Sequence, residues 1–280
     1  MGTAGAARFR CPDCAKAVGL LEGEPACPGC GRSFAPADGV WDLLVRALDP
    51  VKINEDRAHL EEGLPTWRRL FLHKRYWLEW CETRWLPELV GPTTRRVLEI
   101  GGGLCYASAL AKARAPQAWV AATDISARYL RQHARRVGAI LEHPADAYAA
   151  VDAEALPFED EQFDAVYSQV VLYRLPDPVR ALREIHRVLA PGGRYLGIER
   201  ASPWLPPFSG RESRALEGRA RERGIGERPV SLRGWRAILA EAGLEPRCVT
   251  PVPGRRFHRP WIRRVGNAVR PVHVAIRLTR

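Results

Sequence analysis

The stretch from Arg95 to Ser126, RRVLEIGGGLCYASALAKARAPQAWVAATDIS, constrains the fold more tightly than any other part of the chain. A short apolar run, Val97 to Ile100, breaks into three consecutive glycines, Gly101 to Gly103, and helical periodicity follows from about Leu104 to Arg114. A second apolar run, Trp119 to Ala122, ends at Thr123-Asp124. The pattern predicts strand, glycine turn, helix and strand, the opening of a doubly wound α/β sheet. Glycines at such a turn let the backbone approach a ligand where a Cβ would intrude. An acid roughly twenty residues further on, at the end of the second strand, is placed beside a ribose.

Two departures separate this stretch from a dinucleotide fingerprint. Cys105 stands where a third glycine would fall, and Glu99 precedes the first glycine by two residues. A carboxylate there would repel a pyrophosphate, whereas a sulfonium-bearing amino acid tolerates it. At LEIGGGLC and ATDIS the chain resembles the class I S-adenosylmethionine-dependent methyltransferases with a type 11 methyltransferase domain. The first motif of that family is E/D-x-G-x-G-x-G, and its second strand ends in an acid. The resemblance continues from Val151 to Arg200, through Asp152-Ala153, Leu156-Pro157-Phe158, Phe163-Asp164-Ala165-Val166, an L-P-D-P helix start at Leu175 and an R-V-L-x-P-G-G run from Arg187. It implies a seven-stranded Rossmann-like sheet with the last strand antiparallel. It also implies a cofactor, S-adenosyl-L-methionine, held by Glu99, Gly101, Gly103, Asp124, Ile125, Asp152, Ala153 and Ser168. In that arrangement Asp152 accepts the adenine amino hydrogens while the Ala153 backbone meets the ring.

The amino terminus carries a second signal. Cys11-Pro-Asp-Cys14 and Cys27-Pro-Gly-Cys30 are two C-x-x-C knuckles separated by twelve residues, a spacing that brings four thiolates around one structural Zn²⁺. Two disulfides are the alternative, disfavoured in the reducing compartment expected for a chain whose first ten residues lack the apolar centre of a secretory signal. With four sulfur ligands no coordination position is left for catalysis, so the expected role of the metal is to stabilise a small ribbon. Phe34, Asp38-Gly39 and the apolar stretch Val40 to Leu44 resemble small zinc ribbons fused to, or partnered with, methyltransferases, some of which act on rRNA.

These signals divide the chain into a zinc ribbon at 1–48, a linker with an aromatic-rich helix at 49–91 and a methyltransferase domain at 92–280. The last includes an insertion at 201–229 and a basic segment at 246–280. Within the middle part, Trp67, Leu70, Phe71, Trp77, Leu78 and Trp85 recur at helical spacing from Thr66 to Leu86, and Tyr76 is a candidate for the cofactor pocket. The insertion holds Trp204, Leu205 and Phe208, apolar contacts suited to an acceptor pocket. The 46% hydrophobic and 27% charged content is that of a soluble globular protein, and with no apolar run of about eighteen residues a cytoplasmic protein without a transmembrane helix is expected.

Net charge is +11, and the segment from Pro246 to Arg280 holds nine arginines and no acid. Arginine dominates everywhere, with 39 against four lysines, as a GC-rich coding sequence would produce, but that does not account for the missing acids. The segment is therefore a candidate RNA-binding surface.

The implied activity is methyl transfer to an O, N or C nucleophile of a small-molecule acceptor, a metabolite or natural product. The alternatives are RNA base methylation and a non-catalytic cofactor-binding subunit that activates a partner. No D/N-P-P-Y/F motif follows the fourth strand, and no cysteine is placed for pyrimidine C5 chemistry. Tyr173, in the loop after that strand, and Glu199, at the end of the fifth, are the candidate catalytic residues. His186 falls opposite Leu182, Ile185 and Leu189 on its helix, which predicts exposure. Sequence leaves the oligomeric state open.

Overall fold

Apolar runs with little polar alternation form strands buried on both faces, and four strands built on such runs make the centre of the sheet. In the computed structural model, which describes residues 5–46, 48, 50, 52–53, 79–201, 230–252 and 273–280, these are β4 (Arg96–Ile100), β5 (Trp119–Asp124), β7 (Phe163–Gln169) and β8 (Leu189–Arg200). β1 (Arg8–Arg10) and β2 (Ala17–Leu20) form a separate antiparallel pair. β3 (Val40–Asp42), β6 (Ala147–Ala150), β9 (Val249–Val252) and β10 (His273–Thr279) complete an eight-stranded sheet. Its order is β3-β6-β5-β4-β7-β8-β10-β9, and only β10 runs against its neighbours, β8 and β9. Successive strands are added to one side from β4 to β6 and to the other from β7 onward, so the carboxyl ends of the parallel neighbours β4 and β7 open the crevice where doubly wound folds bind ligands.

Side chains alternate across the sheet. From β4, Leu98 and Ile100 join one core layer with Phe158, Phe163, Leu182, Ile185 and Trp235, while Val97 joins the opposite layer with Ala107, Ala111, Val120 and Val137. The helix Tyr106–Arg114 covers the second layer, and the helices Pro178–Val188 and Leu232–Glu241 cover the first. Three helix starts carry a side-chain cap: Ser126 Oγ accepts from the Tyr129 amide at 3.0 Å, Asp177 from Arg180 at 2.9 Å and Ser231 from Gly234 at 3.0 Å.

The sheet has eight strands rather than the seven expected because the amino-terminal module supplies an edge. Val40, Trp41 and Asp42 pair in parallel with Tyr148, Ala149 and Ala150, and the Leu43 amide extends the ladder to the Ala150 carbonyl. The rest of the module docks beside it. Phe9 is fully buried, edge-on to Phe34 at 5.2 Å between ring centres, and lies in one cluster with Trp41, Leu98 and Phe158. Residues on either side of position 48 therefore share one core, and the ribbon does not stand off as a separate packing unit.

Of the expected aromatic helix, only its end lies within the described residues, as a π turn over Cys81–Trp85 leading into a short helix, Leu86–Leu89. Tyr76 and the insertion 202–229 fall outside them. In the basic segment the three described arginines are engaged within the protein. Arg277 pairs with Glu88 and donates to Thr250 Oγ1 at 2.9 Å, and Arg247 pairs with Glu245. Arg280 donates to the carbonyls of Arg187 and Leu189 at 2.6 and 2.9 Å, placing a cation at the carboxyl end of the helix Pro178–Val188. No described helix is long and apolar enough to cross a membrane.

Phe9→Ala is expected to cost about 3–5 kcal/mol and to shift one cooperative urea transition. A separate early transition confined to the ribbon, with the main transition unmoved, would contradict the shared core.

Candidate functional site

The crevice is built from backbone turns that side-chain carboxylates hold in place. Gly101 follows β4 at φ +60°, with a Cβ there falling 2.5 Å from Val171, so the loop after β7 can close onto the glycine turn only because Gly101 has no side chain. Gly103, at φ +55°, faces open space, with nothing within 4 Å of a Cβ position, so the backbone there is open to close approach by a ligand. Cys105 takes the place of the missing glycine by adopting its conformation, φ +52°, and begins the helix Tyr106–Arg114. The turn stays tight at the expense of a left-handed non-glycine residue.

Asp124 fixes this turn from the next strand. Its Oδ2 accepts from the Gly103 amide at 2.8 Å and its Oδ1 from the Ser126 amide at 3.1 Å. Glu99 lies beneath, 4% exposed, and its Oε2 accepts both the amide and the hydroxyl of Ser108, at 2.8 and 2.6 Å. Burial, reinforced by nearby Asp124 and opposed by the Ser108 bonds, raises the Glu99 carboxyl to about 7. Ile125 is half-buried at the strand end. Glu99, Gly101, Gly103, Asp124 and Ile125 thus converge at the carboxyl ends of β4 and β5.

Asp152 and Ala153 follow β6 on the same edge of the sheet. The Asp152 carboxylate accepts from the Glu154 amide at 2.9 Å through Oδ1 and from Lys52 Nζ at 2.6 Å through Oδ2. Lys52 also reaches Glu154 Oε2 at 2.7 Å, and Glu154 Oε1 accepts from the Asp177 amide at 2.7 Å. Neither Lys52 nor Glu154 was a candidate from sequence. Lysine is rare enough in this chain to have served as a signal, but a lysine in a polar linker carries no motif.

Four expectations change. Ser168, expected at the cofactor, is fully buried, and its hydroxyl is paired with the Tyr195 hydroxyl at 2.8 Å inside the sheet. Glu199, a candidate base, is fully buried too, and both its oxygens hold the loop after β7. Oε1 accepts from the amides of Val171 and Leu172 at 3.2 and 3.1 Å, and Oε2 from Tyr173 at 3.3 Å. Those bonds, with the Val170 amide donating to the Ile198 carbonyl at 2.7 Å, hold Val170 at φ +62°, a strained conformation for a β-branched residue. Tyr173, the other catalytic candidate, is 2% exposed and accepts from Arg174 Nε at 2.9 Å. It braces the loop. His186 is half-buried rather than exposed because Arg280 packs against the end of its helix.

Behind the loop, Tyr106 and Tyr167 both donate to Gln169 Oε1. Burial pushes the thiols of Cys81 and Cys105 up, so neither is primed as a nucleophile.

At the amino terminus the thiols of Cys11, Cys14, Cys27 and Cys30 lie within 4.8 Å of one another, and the Gly29 amide points at Cys27 Sγ at 3.3 Å. Four sulfurs so grouped fit a tetrahedral ion with metal–sulfur bonds of about 2.3 Å, and an amide donating to one of them is the support that metal thiolates commonly receive.

Residues 98–197 match a family profile described as a methyltransferase domain. The chain is similar to the malonyl-[acyl-carrier protein] O-methyltransferase of Erwinia pyrifoliae, 39% identical over 116 residues that span 41% of each chain. It is also similar to the ubiquinone/menaquinone biosynthesis C-methyltransferase UbiE of Pasteurella multocida, 35% identical over 118 residues that span 41% of this chain and 43% of that one. The aligned part thus spans about two fifths of the length of these relatives. Among solved structures, the geranyl diphosphate C-methyltransferase of Streptomyces coelicolor A3(2), in complex with Mg²⁺, geranyl diphosphate and S-adenosyl-L-homocysteine, has the same fold. The TM-score is 0.58 at 15% identity, over 84% of this chain and all of the other.

The raised Glu99 and Glu199 carboxyls set a pH dependence. Burial, offset in part by the loop amides, lifts Glu199 from 4.5 to about 7. A carboxyl whose folded pKa exceeds its unfolded value keeps its proton longer when folded, so stability falls as pH rises from about 4.5 to about 7 and levels off above. Each group contributes on the order of 3 kcal/mol to that fall. Glu199→Gln is expected to remove its share of that fall, so that urea-derived stability drops less, or rises more, between pH 5 and 7 than in the unsubstituted protein, and an unchanged slope would show that Glu199 does not titrate there.

Proposed function

We propose that the chain, whose residues 98–197 match a methyltransferase-domain profile, is a class I S-adenosylmethionine-dependent methyltransferase that transfers the methyl group to an O, N or C nucleophile of a small-molecule acceptor. The observation that carries this reading is the junction of β4 and β5, where Asp124 ties down a glycine turn that is open at Gly103 and a buried Glu99 lies beneath. The cofactor supplies an electrophilic methyl on a sulfonium. Asp124 is placed to receive its ribose, the Gly101–Gly103 backbone to pass beneath its amino-acid portion, and Asp152 with Ala153 to receive its adenine.

Alignment is the chemistry asked of the protein. Methyl transfer from a sulfonium is an in-line displacement, and correct orientation of two bound reactants is worth roughly 7–11 kcal/mol. Glu199 and Tyr173 are spent on shaping the loop after β7, so their contribution is to fix the wall against which the acceptor lies. A small acceptor is favoured over RNA by the relatives, whose names give a malonyl-[acyl-carrier protein] O-methyltransferase and a ubiquinone/menaquinone biosynthesis C-methyltransferase. The Cys11, Cys14, Cys27 and Cys30 set holds one structural Zn²⁺.

Native mass spectrometry of the purified protein is expected to give one zinc per chain and a further adduct on addition of S-adenosylhomocysteine. Failure to bind with the ligand in large excess would remove the methyltransferase reading. Asp124→Ala is expected to keep its fold by circular dichroism and weaken S-adenosylhomocysteine binding about 10- to 100-fold, the loss of one or two hydrogen bonds to a charged group. Retained affinity would remove Asp124 from the site.

A further inference from the structure

The loop Val151–Glu159, between β6 and β7, is held from two directions. From the methyltransferase domain, Arg187 donates to the carbonyls of Leu156 and Phe158, both at 2.8 Å, and fixes the later half. From the same domain the Val151 amide donates to the Asp124 carbonyl at 2.9 Å and the Asp177 amide to Glu154 Oε1 at 2.7 Å. Among the described residues, the remaining long-range hydrogen bonds come from the first 52. Leu43 bonds to the Ala150 carbonyl where the loop begins. The Arg10 amide donates to the Pro157 carbonyl at 2.7 Å, and the Glu159 amide to the Arg8 carbonyl at 3.1 Å, so that Phe9 bridges Phe158 where the loop ends. Between these points lie Asp152 and Glu154, which depend on Lys52.

The three side chains are nearly sealed from solvent, with Lys52 9%, Asp152 7% and Glu154 6% exposed. Burial works against the lysine charge, but the bonds to both carboxylates outweigh it and raise the Lys52 pKa, so the ammonium is retained. Two carboxylates this close, without a cation, would repel one another and turn apart. An ionised carboxylate offers about four acceptor positions. Asp152 uses one on each oxygen, for Lys52 and for the Glu154 amide. The two bonds leave acceptor capacity and fix where it points.

We propose that Lys52 is a positioning residue of the cofactor site: its ammonium orients Asp152 so that the remaining acceptor positions meet the 6-amino group of adenine, within a loop whose ends the ribbon strands β1 and β3 hold. The amino-terminal module is then part of the machinery that recognises the nucleoside. This inference rests on the assignment of Asp152 to adenine in the proposed function.

The test compares binding of S-adenosylhomocysteine with that of S-inosylhomocysteine, in which a carbonyl replaces the 6-amino group, to the full zinc-loaded chain by titration calorimetry. The unsubstituted protein is expected to prefer the adenine ligand by about tenfold or more, the worth of one hydrogen bond to a charged acceptor. Lys52→Met is expected to weaken the adenine ligand to the level of the inosine ligand while moving the inosine ligand by less than about twofold. Lys52→Arg is expected to restore most of the preference.

If Lys52→Met is too unstable to titrate, the Lys52→Met/Glu154→Gln double variant keeps the same net charge in the cluster and is expected to show the same loss of preference. An unsubstituted protein that prefers adenine and a variant that prefers it equally would overturn the role of Lys52 while leaving Asp152 in place. An unsubstituted protein with no preference would overturn both.

Discussion

A carboxylate removed from water must be given hydrogen-bond donors, or it costs several kcal/mol or surrenders its charge. Along the carboxyl edge of this sheet five acids are buried, Glu99, Asp124, Asp152, Glu154 and Glu199. Each is satisfied at least in part by backbone amides at the start of a loop or helix. Glu99 holds Ser108, Asp124 holds Gly103 and Ser126, Asp152 holds Glu154, Glu154 holds Asp177, and Glu199 holds Val171, Leu172 and Tyr173. The crevice is thus stitched by anions bonding to peptide groups, and the shape of its loops depends on those bonds more than on loop sequence.

This arrangement explains why acids that look catalytic in a list of residues are architectural in space. Glu199 sits at the end of a strand beside the reaction crevice, where a base would be sought. Its oxygens are turned inward, to three amides that help keep Val170 in a strained conformation, next to the Val171 side chain that lies against Gly101. The strain is local and the restraint is shared by four hydrogen bonds, the conditions under which such a conformation persists.

The features legible in sequence were local ones. The glycine turn, the strand-ending acid and the paired C-x-x-C knuckles are each short patterns, and the structure brings the residues of each together. Long-range features were not legible. Val40 to Leu44 reads as an apolar stretch of the ribbon, and nothing in five residues reveals that it will pair with Ala147–Ala150. Lys52 reads as one polar residue in a linker until the chain folds it onto two acids a hundred residues away. Cys105 reads as a defect in the glycine motif because sequence does not show that a cysteine has been held at a positive φ. Ser168 sits in the motif, yet Tyr195, from the neighbouring strand, claims its hydroxyl.

The pairing of β3 with β6 also has a consequence for the order in which the chain can fold. Val40 meets Tyr148, about a hundred residues later in the sequence. During synthesis at roughly 5–20 residues per second, the amino-terminal module emerges many seconds before its partner strand. Contacts of such separation bring a large loop-closure entropy and tend to slow folding. Until β6 appears, the backbone groups of β3 are an open edge, and Phe9 and Trp41 lack the surface that buries them. The nascent chain therefore passes through a stage in which an incomplete ribbon is exposed to other unfinished chains, and its early thiol cluster is the element able to keep it compact while it waits.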